Sequence, residues 1–173
     1  MMTRACRYTL GRGLLPLALL ATGAGCTPDN PPSHRIEELD RQVTTDIPAS
    51  AATWQIFGTP EYTGGVPAPT DYWTLIAEFR GVPAWWIARR DVPIGRVMVV
   101  PEAPRAWLTP NFRKLLADAP HNVIDLIDNR QCHPHTGYIR KSGRPVHGFI
   151  CAQGDRLLLY LTLIEPSSTG EYD

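Results

Sequence analysis

Two cysteines and three histidines lie close together in the last third of the chain: Cys132, His133, His135, His147 and Cys151. Thiolates and imidazoles are ligands that zinc and copper accept readily, so a metal site is one chemistry that this cluster could support. The other is a disulfide between the two cysteines, which is common in oxidising compartments. The two interpretations need different geometry, and the surrounding elements decide between them.

A β-hairpin carries the whole cluster. Ser142-Gly143 is a two-residue turn signal between two β-prone runs. If Lys141 pairs with Arg144 across that turn, Cys151 lies opposite Pro134 and is a diagonal neighbour of Cys132. A modest bulge at Pro134 would then bring the two cysteines to the separation that a disulfide requires.

The alternation of side chains along a strand separates the histidines. His147 shares the face of Cys132 and Cys151, whereas His133 and His135 point to the other face. One tetrahedral site cannot use all five side chains on a regular strand. The sequence therefore predicts a disulfide, and we expect no bound metal and no cofactor.

Five other residues are candidates for contact with a partner: Trp85, Trp86, Tyr138, Arg140 and Arg144. In a strand, adjacent tryptophans must face opposite ways, so one of the pair can enter the core while the other seeks a second layer, a ligand or a partner. The residues at the hairpin tip form a small basic and aromatic surface. The plainer alternative is core packing for the tryptophans and an exposed turn for the others.

The hydrophobic pattern predicts an α+β fold: a small, mainly antiparallel β-sheet domain with two short helices. Arg156 to Ile164 is almost entirely apolar, which is typical of a central strand covered on both faces. Thr109-Pro110 is a helix start, and Asn122 would cap a second helix. On that helix, Asp125 and Asp128 with nearby His121 are interpreted as a solvated face. The remaining predicted strands are 54–57, 73–79, 84–89, 96–100, 137–141 and 144–151.

The predicted organisation has four parts. Residues 1–25 are a targeting segment, 26–51 a flexible tether, 52–165 one domain and 166–173 a polar tail. The tether is rich in proline and small polar residues. It contains one short helix-forming piece, 34–43, which is too short to be stable alone and could dock on the domain or on a partner.

The first 26 residues have a charged start, a short apolar run from Leu14 to Ala21 and small residues ending at Gly25-Cys26. The apolar run is shorter than the about 20 residues of a permanent span. This layout resembles a bacterial lipoprotein signal peptide, although Gly23 stands where that family usually has leucine. The basic residues of this segment are Arg4, Arg7 and Arg12.

The resemblance implies that Cys26 is lipidated, with palmitate or related chains, and becomes the first residue of the mature protein. Mature lipoproteins carry two or three acyl chains, which is enough for stable anchoring. Thr27, rather than aspartate, follows the cysteine, and by the enteric sorting rule this implies the outer membrane. The domain is therefore expected to face the periplasm.

The charge balance argues against nucleic acid as a partner. The whole chain has 17 basic and 17 acidic residues. Three of the basic residues and none of the acidic ones lie in residues 1–25, which leaves 14 against 17 and a net charge of −3. Neither a DNA-binding surface nor a polybasic patch for anionic lipid is expected.

The sequence carries no catalytic signature, and we expect a protein that is not an enzyme. The layout is similar in plan to that of small lipoproteins of type IV secretion systems. This favours a structural or assembly subunit of an envelope complex, for instance a secretion or conjugation apparatus. The alternative is a periplasmic binding module such as an inhibitor of a cell-wall hydrolase. Lipoprotein lysozyme inhibitors are also small and β-rich, and Ser142-Gly143-Arg144 hints at their inhibitory loop.

Overall fold

The computed structural model describes residues 30–61, 72–90 and 95–164. Cys26, the predicted signal peptide and the polar tail lie outside these ranges. The described strands are β1 (Val43–Thr44), β2 (Ala51–Thr59), β3 (Tyr72–Arg80), β4 (Arg96–Met98), β5 (Val123–Asp125), β6 (Cys132–Ile139), β7 (Pro145–Gln153) and β8 (Arg156–Ile164). The described helices are α1 (Ile36–Asp40), α2 (Ala84–Ile87) and α3 (Pro110–Ala117), with one 3₁₀ turn at Pro120–Asn122. The prediction of a mainly antiparallel α+β fold is confirmed.

Six strands form the main sheet in the order β1–β6–β7–β8–β3–β2, and every pair is antiparallel. β8 lies in the interior of this order, as its apolar sequence predicts. Residues Leu157 to Leu161 are all buried, because the sheet is covered on both faces. β4 and β5 form a separate two-stranded ribbon.

The main sheet curls, so that its two edge strands share one core. Helix α1 contacts both β1 and β2. Leu39 of α1 and Val43 of β1 are completely buried, and they belong to the same core as Ala52 and Trp54 of β2. Ser33 adds a bridge to Trp54 through two backbone hydrogen bonds of 2.8 and 2.9 Å. The edge of β2 is thereby partly covered.

The structure differs from the predicted tether. From Asn30 onward, the segment expected to be flexible up to residue 51 is bonded to the domain or packed in it. The short helix is held by tertiary packing, because Leu39, Val43 and Ile47 insert into the concave face of the sheet. The periodicity of 34–43 had indicated a helix, and α1 occupies the middle of that piece.

A second core lies on the outer face of the sheet. Helix α3 and the β4–β5 ribbon cover this face, through Phe112, Leu116 and Ile124, and they bury Phe149 and Tyr160 of the sheet beneath them. The Tyr160 hydroxyl accepts a hydrogen bond from the Val100 amide at 3.1 Å. These two elements therefore form the second layer of the domain.

The predicted start of α3 at Thr109-Pro110 is confirmed. The amide of Thr109 donates to the buried Glu78 carboxylate at 2.8 Å, and Glu78 also pairs with Arg156. The Thr109 side chain makes no capping bond.

The helix predicted after Asn122 is wrong, because Val123–Asp125 is strand β5. His121 and Asn122 both have positive φ, 52° and 59°. This is a left-handed conformation that stops a right-handed helix before it forms. The β-branched Val123 and Ile124 then pair with β4.

The hairpin between β6 and β7 forms, but its turn is longer than predicted. The Gly143 amide donates to the Ile139 carbonyl at 2.8 Å, and the Ile139 amide donates to the Arg144 carbonyl at 2.9 Å. Four residues, 140–143, therefore form the turn, with Gly143 at φ 68°. The register shifts by two residues, and Cys132 pairs directly with Cys151, so no bulge at Pro134 is needed.

Candidate functional site

The predicted disulfide between Cys132 and Cys151 is confirmed, with Cα atoms 4.0 Å apart. Both cysteines are completely buried in the core beneath α3 and the ribbon. Because both sulfurs are in the bond, they are not available as thiolate ligands. Within residues 30–61, 72–90 and 95–164, no three His, Cys, Asp or Glu side chains are grouped so as to hold a metal ion.

The histidines divide between the two faces of the sheet as the alternation predicts. His147 lies on the outer face, where its Nδ1 is 3.1 Å from the Thr136 hydroxyl. His135 lies on the concave face, buried against the ring of Trp86. Its Nε2 is 3.0 Å from the Thr45 carbonyl. A carbonyl oxygen only accepts, so Nε2 carries the proton and donates it.

Burial sets the protonation of His135. Desolvation lowers the pKa of this imidazole below its ordinary 6.5, and the nearby Arg90 guanidinium lowers it further. The hydrogen bond to Thr45 and the charge of Asp46 act in the opposite direction but do not prevail. The folded protein therefore favours the neutral ring.

We expect the domain to lose stability as the pH falls below about 6.5. The unfolded chain takes up a proton on His135 that the folded chain resists, so the free energy of unfolding falls between pH 6.5 and the lowered folded pKa. His135→Gln should lose less stability on acidification, although it should be about 1 kcal/mol less stable at pH 7.5 if its amide fails to reach Thr45. Urea unfolding at both pH values measures this. The matched control is His34→Gln, because His34 lies on the surface. Equal pH dependence of the unfolding free energy in the wild type, His135→Gln and His34→Gln would contradict the prediction.

The predicted strand at 84–89 is wrong, because Trp85 and Trp86 lie on the short helix α2. The pair still divides between core and surface. Trp86 is 6 % exposed and packs in the concave core, whereas Trp85 is 57 % exposed. The guanidinium of Arg89 lies 5.2 Å from the centre of the Trp85 ring. Trp85 is therefore the surface member of the pair, and its role as a partner contact stays a prediction.

The hairpin-tip residues are largely engaged within the domain. The Arg140 guanidinium donates to the Asp40 carbonyl at 3.1 Å, and the Arg144 guanidinium donates to the Leu163 carbonyl. Tyr138 is 46 % exposed, but it alternates with the buried Gly137 and so faces away from the concave core that holds Trp86. Because Trp86 is buried, the five predicted contact residues cannot all belong to one exposed surface.

A concave groove lies between α3 and the ribbon, and we call it the ribbon groove. It has a volume of about 910 Å³. Its walls combine apolar and charged side chains, with Met98 62 % exposed on the ribbon. The residues that line it are Arg96, Met98, Asn111, Lys114, Leu115, Asp118, Ala119, Pro120, His121, Val123, Ile124, Asp125, Asp128 and Asn129.

Two ion pairs lie on the rim of the ribbon groove. Arg96 donates to Asp125 at 3.0 Å across the two strands of the ribbon, and Lys114 pairs with Asp118 one turn later on α3. The hydrogen bond from Arg96, with the Ile127 amide, holds the pKa of the Asp125 carboxyl below its ordinary value. Within the part of the chain that the structure describes, Asp128 adds a carboxylate that is in no ion pair.

The backbone at the lip of the groove, at His121 and Asn122, has an unusual conformation. His121 and Asn122 are consecutive non-glycine residues with positive φ, a conformation that costs energy and recurs at functional sites. The Val99 amide donates to the Asn122 carbonyl at 2.7 Å, so the lip is joined to the ribbon. A groove with apolar walls and a charged rim is suited to binding a peptide segment or a small ligand.

The sequence predicts only fragments of this site. Asp125 and Asp128 are predicted on a helix with His121 near it, and nothing in the spacing of Met98, Leu115 and Asn129 indicates that they meet. The proline before His121 marked a break in the chain, which was the one local signal available.

In the described ranges, the helices are all too short or too polar to cross a membrane. Compared with protein-family models, with curated proteins and with solved structures, the chain matches none of them.

Proposed function

We propose that this chain is a lipoprotein of the bacterial cell envelope, anchored through Cys26, facing the periplasm and sorted to the outer membrane. Its domain acts as a structural or assembly subunit by holding a partner protein of an envelope complex, such as a secretion or conjugation apparatus. The signal-peptide-like layout of residues 1–26 supports the location. A buried disulfide is what an oxidising compartment favours.

The proposed binding role rests on the ribbon groove. Its apolar walls surrounded by charged groups match the anatomy of a protein interface, in which an apolar centre is enclosed by a polar rim. Within each of the two rim ion pairs the positive and negative charges cancel. The carboxylate of Asp128 therefore gives the rim a net negative charge. The partner segment is therefore expected to carry an apolar anchor residue beside a basic one.

A hydrolase inhibitor remains the second candidate because the turn at 140–143 is preorganised. The Arg144 amide donates to the Ser142 hydroxyl at 3.3 Å, and the Gly143 amide donates to Ile139. An exposed, preorganised turn is a low-entropy way to enter an active-site cleft. The Arg144 side chain is engaged with Leu163, so Ser142 and Gly143 would be the inserting residues.

Crosslinking and capture in the bacterium that produces the protein test the proposal. The tagged full-length chain is compared with Cys26→Ala and Met98→Lys. We expect a defined set of envelope proteins that is lost with Cys26→Ala. Met98→Lys should reduce capture about tenfold, because it removes an apolar wall and adds a charge that repels a basic partner, a change of about 1.4 kcal/mol.

Ile127→Lys is the matched control. Ile127 is 59 % exposed, nearly as much as Met98, but does not line the groove. Equal losses with both lysine variants would contradict the role of the groove. Capture of a single soluble hydrolase regardless of Cys26 would favour the inhibitor, and capture of nothing would overturn both candidates.

A further inference from the structure

The folded domain begins four residues after Cys26. The side-chain amide of Asn30 donates to the Ile56 carbonyl at 2.9 Å, and the Asn30 carbonyl accepts a hydrogen bond from the Gln55 side chain. Asn30 is therefore fixed to β2, in the middle of the edge of the sheet. Four residues span at most about 14 Å even when fully extended.

We propose that the edge of β2 around Asn30, together with Trp107, lies against the phospholipid surface of the membrane. The inference rests on the proposed lipidation of Cys26. An acylated Cys26 sits at the level of the lipid headgroups, so Asn30 lies within about 14 Å of them. A domain of this size has a radius of gyration of about 14 Å, so the short connection cannot let its opposite side reach the lipid.

The side chains beside Asn30 suit an interface between protein and lipid. Gln55 connects Asn30 to Trp107, because its side-chain oxygen accepts the indole N–H of Trp107 at 3.0 Å. Trp107 is half-buried, and Ala106 before it is exposed. Tryptophan is enriched at membrane–water interfaces, where its ring is apolar and its N–H stays hydrogen-bonded.

Cationic groups flank the same surface. The Arg113 guanidinium reaches the Ala106 carbonyl at 3.5 Å, and the Arg35 side chain is 68 % exposed beside the Ser33–Trp54 bridge. Arg35 is paired with Glu38, so Arg113 is the cation placed to meet lipid phosphates. The surface is small, and the covalent anchor supplies most of the attachment.

The ribbon end of the groove lies near the start of β6, which is not a neighbour of β2 in the sheet. The Cys132 amide donates to the Asn129 carbonyl at 2.7 Å, which places residues 129–131 at the start of β6. Measured along the curled sheet, the path from β6 to β2 crosses four strand spacings, or about 19 Å. A domain that rests on β2 therefore leaves the ribbon end of the groove open toward the periplasm.

A photo-crosslinking amino acid at Ala106 and at Arg130 tests the orientation in the lipidated full-length protein. Both positions are exposed. The protein is reconstituted in vesicles of phosphatidylethanolamine and phosphatidylglycerol, and phospholipid adducts are measured by mass spectrometry. We expect a several-fold higher adduct yield at Ala106 than at Arg130. Inserting about 20 Gly and Ser residues between Cys26 and Asn30, with a reach of about 25 Å, should abolish that difference.

The mass of the Cys26 peptide in the same samples shows whether Cys26 is acylated. This separates a failure of the lipid anchoring from a failure of the proposed orientation. If Cys26 carries no acyl chain, the anchoring and this orientation both fall. If Cys26 is acylated and the yields at Ala106 and Arg130 are equal, or the preference for Ala106 survives the longer connection, the orientation is wrong while the anchoring stands. In membranes of the producing bacterium, a protein adduct at Ala106 in place of lipid would also overturn it.

Discussion

Gly148→Ala is expected to destabilise the domain by more than about 3 kcal/mol, or to prevent folding altogether. A Cβ atom at Gly148 would lie 1.9 Å from the Tyr160 carbonyl oxygen and 2.8 Å from the Tyr160 carbonyl carbon. Both are backbone atoms of β8, so no side-chain rotation can relieve the clash. β7 and β8 would have to separate, which breaks ladder hydrogen bonds at the centre of the sheet. Overpacking alone typically costs about 1–3 kcal/mol.

Urea unfolding followed by tryptophan fluorescence measures the effect, and Gly143→Ala is the control. Gly143 has open space around its Cβ position but a φ of 68°. Its substitution should therefore cost only the backbone strain of a left-handed residue, about 1–2 kcal/mol. If Gly148→Ala unfolds at the same urea concentration as Gly143→Ala, the close approach of β7 and β8 is not what requires the glycine.

The parts of the fold that the sequence predicts are those in which local pattern and tertiary burial agree. Arg156 to Ile164 is apolar on both sides and becomes β8 in the interior of the sheet. Thr109-Pro110 begins α3 because proline fixes the first helical φ. The cysteines share one face in either hairpin register, since a shift of two residues preserves the alternation. The disulfide could therefore be predicted even though the turn was wrong by two residues.

The parts that the sequence does not predict depend on contacts between distant segments. Trp85-Trp86-Ile87 has a high strand propensity, yet it forms α2 because Trp86 packs against His135. Leu39 and Val43 belong to a helix-forming piece too short to be stable alone, and their burial depends on the concave face of the curled sheet. Intrinsic propensity is a weak predictor wherever tertiary burial of one large side chain decides the outcome.

The ribbon groove could not be predicted for the same reason. Its walls come from α3 and from two three-residue strands separated by 24 residues of chain. The strand predicted at 96–100 contains β4, but the residues of β5 are predicted as a helix, and no local pattern indicates that the two segments pair. The pairing of Arg96 with Asp125 defines the ribbon, and only the folded structure reveals it.

Loss of the Cys132–Cys151 disulfide is expected to lower the free energy of unfolding by about 3 kcal/mol. The bond joins residues 19 apart in sequence, and closing a loop of this length in the unfolded chain removes entropy worth about that amount. Substituting both cysteines by alanine should cost somewhat more, because both side chains are completely buried among Phe149 and Leu158 and would leave a small cavity. Chemical unfolding of the oxidised protein and of the double variant measures the difference.

Wild-type protein refolded under reducing conditions keeps both sulfur atoms and loses only the bond between them. Its stability therefore distinguishes the contribution of the crosslink from that of side-chain packing. We expect it to be intermediate in stability between the oxidised protein and the double alanine variant. The reduced protein should also bind partners less well, because the Cys132 amide holds Asn129 at the wall of the ribbon groove and a looser start of β6 frees that wall. Equal unfolding free energies for oxidised and reduced protein, or two thiols that react when the non-reduced protein is denatured, would contradict the structural role of the bond.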